Sequence, residues 1–438
     1  MIDRSVFHEK KAAFHTLGCK LNFSETSTIA RTMMDDGFTR VDFNERADVY
    51  VINTCTVTEI AEKKCRAAIH KAIRQNPDAF VVVTGCFAQL RPENIAKIPG
   101  VDLILGSNEK FDITAYLGHL DKNGSPEIHT GKIKNEKTFH PSYSMGDRTR
   151  CFLKVQDGCD YFCSYCTIPM ARGRSRNASV ANTIKMAQQA AAEGAREIIL
   201  TGVNIGDFGR STNETFLDLI RELDKIESIW RYRVSSIEPN LLTPEIIAFM
   251  AESKKFMPHF HIPLQSGSDN VLRLMQRKYN TALFQQRIDT IRQLLPDAFI
   301  GVDVIVGVRG ESEQDFADTH AFLSQLDVSQ LHVFTYSERP NTKALNIETP
   351  VSPEERKHRS QVLHLLSDKK TDAFYRRFIN TSSVVLPEGQ NDDGYMYGYT
   401  DNYIKVELPY NSNLVNTLQN VDLLEFNTDR SALKARLK

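Results

Sequence analysis

The sequence predicts an α/β protein in three parts: an open parallel-sheet domain, a partial barrel of six β/α repeats, and a small all-β barrel. Three observations carry that prediction. From residue 11 to about 118, short apolar β-branched runs alternate with stretches of helical periodicity. From 151 to about 340 the alternation resumes on a longer scale, and from 380 to 438 it gives way to short alternating strands set between Gly, Asn, Asp and Pro.

In the first part (1–118) the apolar runs are 12–17, 49–53, 80–84 and 101–105. Helical stretches lie between them; in 59–75, Ala61, Cys65, Ala68 and Ala72 recur at helical spacing. Strict strand–helix alternation implies parallel strands joined by crossover helices. Residues 119–148, rich in Gly, Pro, Ser and Lys, read as a linker. In the second part (149–345) strands are expected at 152–155, 197–201, 232–236, 259–264, 300–306 and 332–336. Six repeats are too few for a closed eightfold barrel, which needs about 250 residues, and the active site belongs at the strand C-termini. A connecting segment (346–379) holds a long helix over 352–378. There Arg356, Lys357, Arg359, Lys369, Lys370, Arg376 and Arg377 outnumber the carboxylates. The third part (380–438) is the β-barrel.

The chain has 438 residues, 41% hydrophobic and 25% charged, with a net charge of −1. That composition excludes a disordered, collagenous or disulfide-framework protein. No apolar run approaches the ~20 residues that span a bilayer, and the N-terminal MIDRSVFHEKK is charged where a signal peptide is apolar. The expected compartment is the cytoplasm. Thiols stay reduced there, so the eight cysteines are expected as metal ligands, catalytic groups or core thiols rather than disulfides.

Cys159, Cys163 and Cys166 form a C-x3-C-x2-C cluster in GCDYFCSYCTIP, just after the first strand of the second part. Three thiolates from one loop hold three irons of a cubane and leave the fourth iron open to a substrate. The competing reading is zinc, but a structural zinc takes four ligands and no fourth Cys or His follows closely. Cys19, Cys55 and Cys86 each follow a different strand of the first part. Neighbouring C-terminal strand ends converge on one crevice, so these three thiols can meet and build a second open site. The competing reading is three separate buried thiols. Cys65, on the apolar face of a helix, and Cys151, before a strand, read as core residues.

The cysteine loop, with Tyr165 before its last cysteine, resembles the radical S-adenosylmethionine superfamily. In that superfamily the open iron chelates the amino and carboxylate groups of S-adenosylmethionine, and electron transfer releases a 5′-deoxyadenosyl radical. With the strand-end cysteines before it and the β-barrel after it, nearly the whole chain is similar to the methylthiotransferases. HTLGCKLNFSE, INTCTVT and CSYCTIPMARGRSR most resemble the subgroup acting on N6-threonylcarbamoyladenosine in tRNA, where Lys20 follows the first cysteine; the isopentenyladenosine subgroup usually has Gln there.

The resemblance implies two [4Fe-4S] clusters and S-adenosyl-L-methionine as cofactors. It further implies cofactor contacts from Thr201, Gly202 and Asn204 (ILTGVNIGDFG), from Glu238 (SSIEP) and from Gln265 (HIPLQSGSD), any of which is otherwise a turn or cap residue. GVRGES (Gly307 to Ser312) stands where the family has GFPGET. Arg172, Arg174 and Arg176 are set to grip RNA phosphate or a carboxylate, or else to be a solvated stretch. The terminal barrel resembles the TRAM RNA-binding domain. In it Tyr395, Tyr397, Tyr399 and Tyr403 offer stacking faces or pack the barrel, and the basic 352–378 helix adds phosphate contacts. The implied activity is methylthiolation of adenine C2 beside the anticodon. Its partners are a tRNA anticodon stem-loop, an external electron donor and a sulfur source, with no membrane. The alternatives are the isopentenyladenosine enzyme, a protein-modifying methylthiotransferase, and a non-enzymatic iron–sulfur RNA-binding or redox protein.

Overall fold

The computed structural model describes residues 7–438 except 119, 121, 123, 147 and 148. Strands β1 (Lys11–Thr16), β2 (Thr39–Val41), β3 (Val49–Thr54), β4 (Phe80–Gly85), β5 (Leu103–Leu105) and β6 (Glu127–His129) form one parallel sheet. Their order is β2-β1-β3-β4-β5-β6. β3 and β4 are buried along their whole length, as unbroken apolar strands between helical layers must be. Tyr50, Ile52, Val81 and Val83 enter the core on one face of the sheet, and Val49, Val51, Phe80 and Val82 enter the core on the other. β6 lies inside the stretch read as linker. Three residues among Gly, Pro and Lys leave no periodicity to read, and the strand exists because β5 offers it a free edge.

The second part contains β7 (Ser142–Tyr143), β8 (Cys151–Lys154), β9 (Glu197–Thr201), β10 (Arg231–Val234), β11 (His259–Gln265), β12 (Phe299–Val306) and β13 (Gln330–Thr335). β10-β9-β8 and β11-β12-β13 are parallel sheets, joined by the Ser236–His261 bridge. The six strands thus form an incomplete barrel, with β7 antiparallel on the free edge of β8. The 353–376 helix packs on β13, where Ser367 Oγ bonds both the Leu331 N–H and its carbonyl. Ile198, Leu200, Ile262, Leu264, Val302 and Val304 pack into the core beneath the helices. On the other face of the strands Glu197, Arg233, His261, Asp303 and His332 enter the lumen beside Phe152 and Ile199. Among the described residues no helix is long and apolar enough to cross a membrane.

β14 (Ser382–Pro387), β15 (Tyr395–Thr400), β16 (Lys405–Pro409), β17 (Gln419–Phe426) and β18 (Leu433–Leu437) close into a barrel in the order β14-β15-β16-β18-β17. It is bolted to the strand N-termini of the larger barrel. Arg231 donates to the carbonyls of Tyr399 and Val384, Arg233 to those of Thr400 and Asp401, and Arg150 pairs with Glu388 at 2.7 Å. Tyr403 stacks on Tyr399 and lies 4.1 Å from the His259 ring. Two of the four tyrosines therefore serve this junction, leaving Tyr395 and Tyr397 outside it. Most of the basic excess on the long helix is likewise engaged: Arg359 is buried against Glu311, Lys370 donates to the Leu326 carbonyl, and Arg376 and Arg377 pair with Asp372 and Asp297.

A buried charge network locks the first domain to the larger barrel. Arg172 forms a bidentate pair with Glu25 at 3.0 Å and bonds Asp157 at 3.0 Å and Asn22 at 2.6 Å. Lys110 and Lys154 complete the cage around Glu25 at 2.5 and 2.8 Å. Arg176 bonds Asp157 and the Arg172 carbonyl. Of the three alternate arginines only Arg174 is exposed, at 68% of its side chain; Arg172 and Arg176 hold carboxylates, not RNA. The surrounding cations keep Glu25 and Asp157 well below the usual carboxylate range despite burial. With folded values depressed, their stabilisation is complete above the ordinary carboxylate pKa of about 4 and is lost as pH falls below it. Arg172→Met takes the bidentate partner from Glu25, one cation from Asp157 and the donor from Asn22 Oδ1, leaving Lys110, Lys154 and Arg176 in place, and is expected to cost about 3–5 kcal/mol at pH 7 in denaturant unfolding. A change under about 1 kcal/mol would contradict this role.

Candidate functional site

The C-x3-C-x2-C loop leaves β8 and ends in the short helix Ile168–Arg172. It is tied down at several points. Gly158 has a positive φ and lies so close to the Arg174 carbonyl that a Cβ would sit 2.0 Å from it, which excludes any other residue. The Cys159 N–H bonds the Gly173 carbonyl, and Ser164 bonds the carbonyls of Met275 and Leu274. Sulfurs accept backbone hydrogen bonds, Cys159 from Tyr161 and Cys166 from Ile168, each at 3.4 Å. Burial pushes the Cys159 and Cys166 thiols up to about 12 and raises Cys163. Thiols in such a site ionise when a metal supplies the opposing charge.

Cys19, Cys55 and Cys86 follow β1, β3 and β4 at the C-terminal sheet edge. Cys19 stands at the N-cap position of the Lys20–Asp35 helix without a side-chain capping bond, and Cys86 begins the Cys86–Leu90 helix. A Cβ on Gly18 would lie 3.0 Å from Cys55 Sγ, so glycine is what lets the Cys19 loop approach Cys55. Each thiol lies within electrostatic reach of the others, and burial pushes Cys55 up to about 12 and raises Cys86. Cys65 is a supporting residue: its sulfur accepts from the Cys55 N–H and its thiol donates to the Cys55 carbonyl, both at 3.4 Å. Cys151 is buried in the barrel core.

Among the described residues, the set of three metal-ligating side chains whose ligand atoms all lie within 4.8 Å of one another is His261, Asp303 and His332. Neither thiol triad is drawn together that tightly. The elements that carry the two triads are docked: the helix starting at Cys86 packs against the helix following Cys166, and Ser107 Oγ donates to the Ala171 carbonyl at 2.8 Å. The two domains also meet where Arg339 bonds Thr56 and Glu62, and the Glu59 N–H bonds Ser337.

The other residues expected at the site lie at strand C-termini around the loop. Tyr165 is packed with Val271, Met275, Val308 and Tyr336. Thr201 and Gly202 end β9; Thr201 is buried and its hydroxyl bonds the Ile199 carbonyl, while a Cβ on Gly202 would meet Gln156 at 2.9 Å. Gln265 Oε1 and Asn240 Oδ1 are buried without a hydrogen-bond partner, and the buried Asn204 amide makes no well-formed hydrogen bond although Asp207 and Tyr161 lie beside it. Gln265 also has φ +71°, beside a register shift in β11. A polar ligand at this barrel mouth would satisfy these buried amides. Glu238 pairs with Arg277, yet burial raises its pKa.

Arg277 is the residue that sequence reading missed. It donates to Cys163 Sγ at 3.1 Å and to Tyr165 Oη at 3.4 Å, as well as to Glu238. As one arginine in MQRKYN it carries no spacing signal, and only the fold brings it to the cysteine loop. Within GVRGES, Glu311 serves packing, accepting from the Gly307 N–H at 2.5 Å and from Arg359 at 2.8 Å.

Residues 11–106 match the family model described as uncharacterized protein family UPF0004, and residues 153–323 match that of the radical SAM superfamily. The second match brings a [4Fe-4S] cluster and S-adenosylmethionine with it, and the buried thiols and buried amides described above fit both. The fold is similar to that of the radical S-adenosylmethionine methyltransferase TsrM from Kitasatospora setae. The TM-score is 0.55 at 14% identity, covering 77% of each chain. The chain is 39% identical over 423 residues to the threonylcarbamoyladenosine tRNA methylthiotransferase MtaB of Bacillus subtilis, covering 94% of this chain and 93% of that one. Against the MtaB of Thermotoga maritima it is 34% identical over 399 residues, 91% of each chain. A tRNA-2-methylthio-N(6)-dimethylallyladenosine synthase of Geobacter sulfurreducens is 33% identical over 420 residues, 94% of each. With thiols at both sites and identity extending along both domains, the chain belongs to the radical S-adenosylmethionine methylthiotransferases, in the threonylcarbamoyladenosine tRNA methylthiotransferase family.

Proposed function

We propose that this protein converts N6-threonylcarbamoyladenosine beside the anticodon of tRNA into its 2-methylthio form. The observation that carries the reading is the pair of three-thiol sites on docked elements of two domains, the helix that begins at Cys86 packing against the helix that follows Cys166. Cys159, Cys163 and Cys166 would hold the cluster that binds S-adenosylmethionine, and Cys19, Cys55 and Cys86 would hold a second [4Fe-4S] cluster that supplies the sulfur. An aromatic C–H is neither acidic nor electrophilic enough for acid/base chemistry; the cluster and S-adenosylmethionine supply the one-electron chemistry that breaks it.

The protein's own groups bind and orient. Arg277 stabilises the Cys163 thiolate and positions Glu238, while Asn204 and Gln265 offer buried amides to the polar part of S-adenosylmethionine, next to Thr201 and Gly202. The first domain, clamped by the Arg172 network, covers the barrel mouth and excludes water. RNA is handled by Arg174, by the outer tyrosines Tyr395 and Tyr397 and by Lys357 and Lys369, with the target base unstacked into the crevice. The reading places the protein in the cytoplasm, with an electron donor and a sulfur source as further partners.

The test is anaerobic reconstitution. The protein is expected to bind about eight irons per chain and, with dithionite, S-adenosylmethionine and tRNA bearing threonylcarbamoyladenosine, to form the methylthio nucleoside. Iron binding without any cleavage of S-adenosylmethionine would instead favour a redox or RNA-binding protein.

A further inference from the structure

A cavity of about 430 Å³ opens where the three parts of the chain meet. Its lining includes Cys19 and Lys20 from the first domain, Ser236 and His261 from the larger barrel, Arg150 before β8, and Tyr403 from the terminal barrel. The volume suits an organic group of moderate size, and Cys19 on its wall sets it beside the first-domain thiols.

The arginines in and around this cavity are each paired with a carboxylate. Arg150 pairs with Glu388, Arg233 with Glu197, and Arg231 with Asp401. Asp303 acts on Lys20 through space, but its carboxylate is hydrogen-bonded to His261 at 2.6 Å. Lys20 is half-buried and, among the described residues, makes no hydrogen bond or ion pair. An ammonium partly withdrawn from water without a partner is destabilising, and here it faces a cavity that can admit a partner. The missing group is an anion.

We propose that Lys20 binds the carboxylate of the threonylcarbamoyl substituent and so determines specificity for the charged nucleoside. This rests on the functional reading above. Threonine joined through its amine to the carbamoyl group keeps its carboxylate, the negative charge that the modified base carries and an unmodified adenine lacks. With the carboxylate on Lys20 and the carbamoyl group near Ser236 and His261, the purine ring lies toward Cys19, where the sulfur has to be delivered.

The test uses two anticodon stem-loop RNAs, one with threonylcarbamoyladenosine and one in which the threonine carboxylate is a neutral carboxamide. Wild-type protein is compared with Lys20→Met and the charge-retaining Lys20→Arg at equal iron content, since Lys20 adjoins Cys19. Lys20→Met is expected to lower kcat/KM on the acid RNA about 10- to 100-fold and to change it on the amide RNA less than about threefold, with Lys20→Arg recovering much of the loss. Equal losses on both RNAs would make Lys20 structural and overturn the proposal. So would an unchanged acid reaction, or a loss that appears as a raised KM for S-adenosylmethionine in cleavage without RNA, which would assign Lys20 to the cofactor's carboxylate. Wild-type protein inactive on the acid RNA but active on an isopentenyladenosine stem-loop would overturn the functional reading, and the proposal with it.

Discussion

Combining Cys159→Ala, Cys163→Ala and Cys166→Ala is expected to remove about half the bound iron and to reduce deoxyadenosine formation to background. The three sulfurs come from one loop whose backbone is pinned by Gly158, Ser164 and the Ile168–Arg172 helix, so no other thiol can take their place. Cys151, the nearest cysteine in sequence, begins β8 at the end opposite the loop and is buried in the core. Because the loop is held by backbone hydrogen bonds and packing as well as by its thiols, the variant is expected to fold. Anaerobic iron analysis and chromatography of the cleavage products check the result. Retained cleavage would remove this loop from the chemistry.

The complementary variant, Cys19→Ala, Cys55→Ala and Cys86→Ala, is expected to separate two activities. Reductive cleavage of S-adenosylmethionine persists, since Arg277, Glu238, Asn204 and Gln265 all belong to the larger barrel, while methylthiolation of tRNA falls to background. The small-to-smaller changes leave the Asn22–Glu25–Arg172 lock in place, so the first domain stays docked. Product mass spectrometry and deoxyadenosine yield, measured on the same sample, give both answers. A methylthio product from this variant would make the first-domain triad structural.

Most of the fold was legible because its strands are fully buried and its helices are amphipathic; the runs at 49–53, 80–84 and 197–201 reappear as β3, β4 and β9. The six thiols were legible because cysteine spacing and strand-end placement are local properties. What remained hidden depends on distant partners. β6 exists only through pairing with β5. Arg172 and Arg176 look like Arg174 in sequence, yet buried carboxylates from two domains claim the first two and leave the third in solvent. The terminal barrel reads as a separable module by composition, but Arg231 and Arg233 donate into its carbonyls and Tyr403 packs on His259. Removing residues 380–438 therefore strips the capping groups from a buried Arg–Glu cluster, and loss of tRNA affinity in such a truncation would not isolate recognition. Substituting the outer residues Tyr395 and Tyr397 tests RNA contact without opening that junction.

The central claim, methylthiolation of threonylcarbamoyladenosine in tRNA, is tested most directly by nucleoside mass spectrometry. Bulk tRNA is taken from a strain lacking both 2-methylthio-adenosine modifications, before and after expression of this gene. The account predicts that 2-methylthio-N6-threonylcarbamoyladenosine appears while isopentenyladenosine stays unmodified at C2. Appearance of the methylthio form of isopentenyladenosine alone, or of neither nucleoside in cells whose purified protein carries its iron, would contradict it.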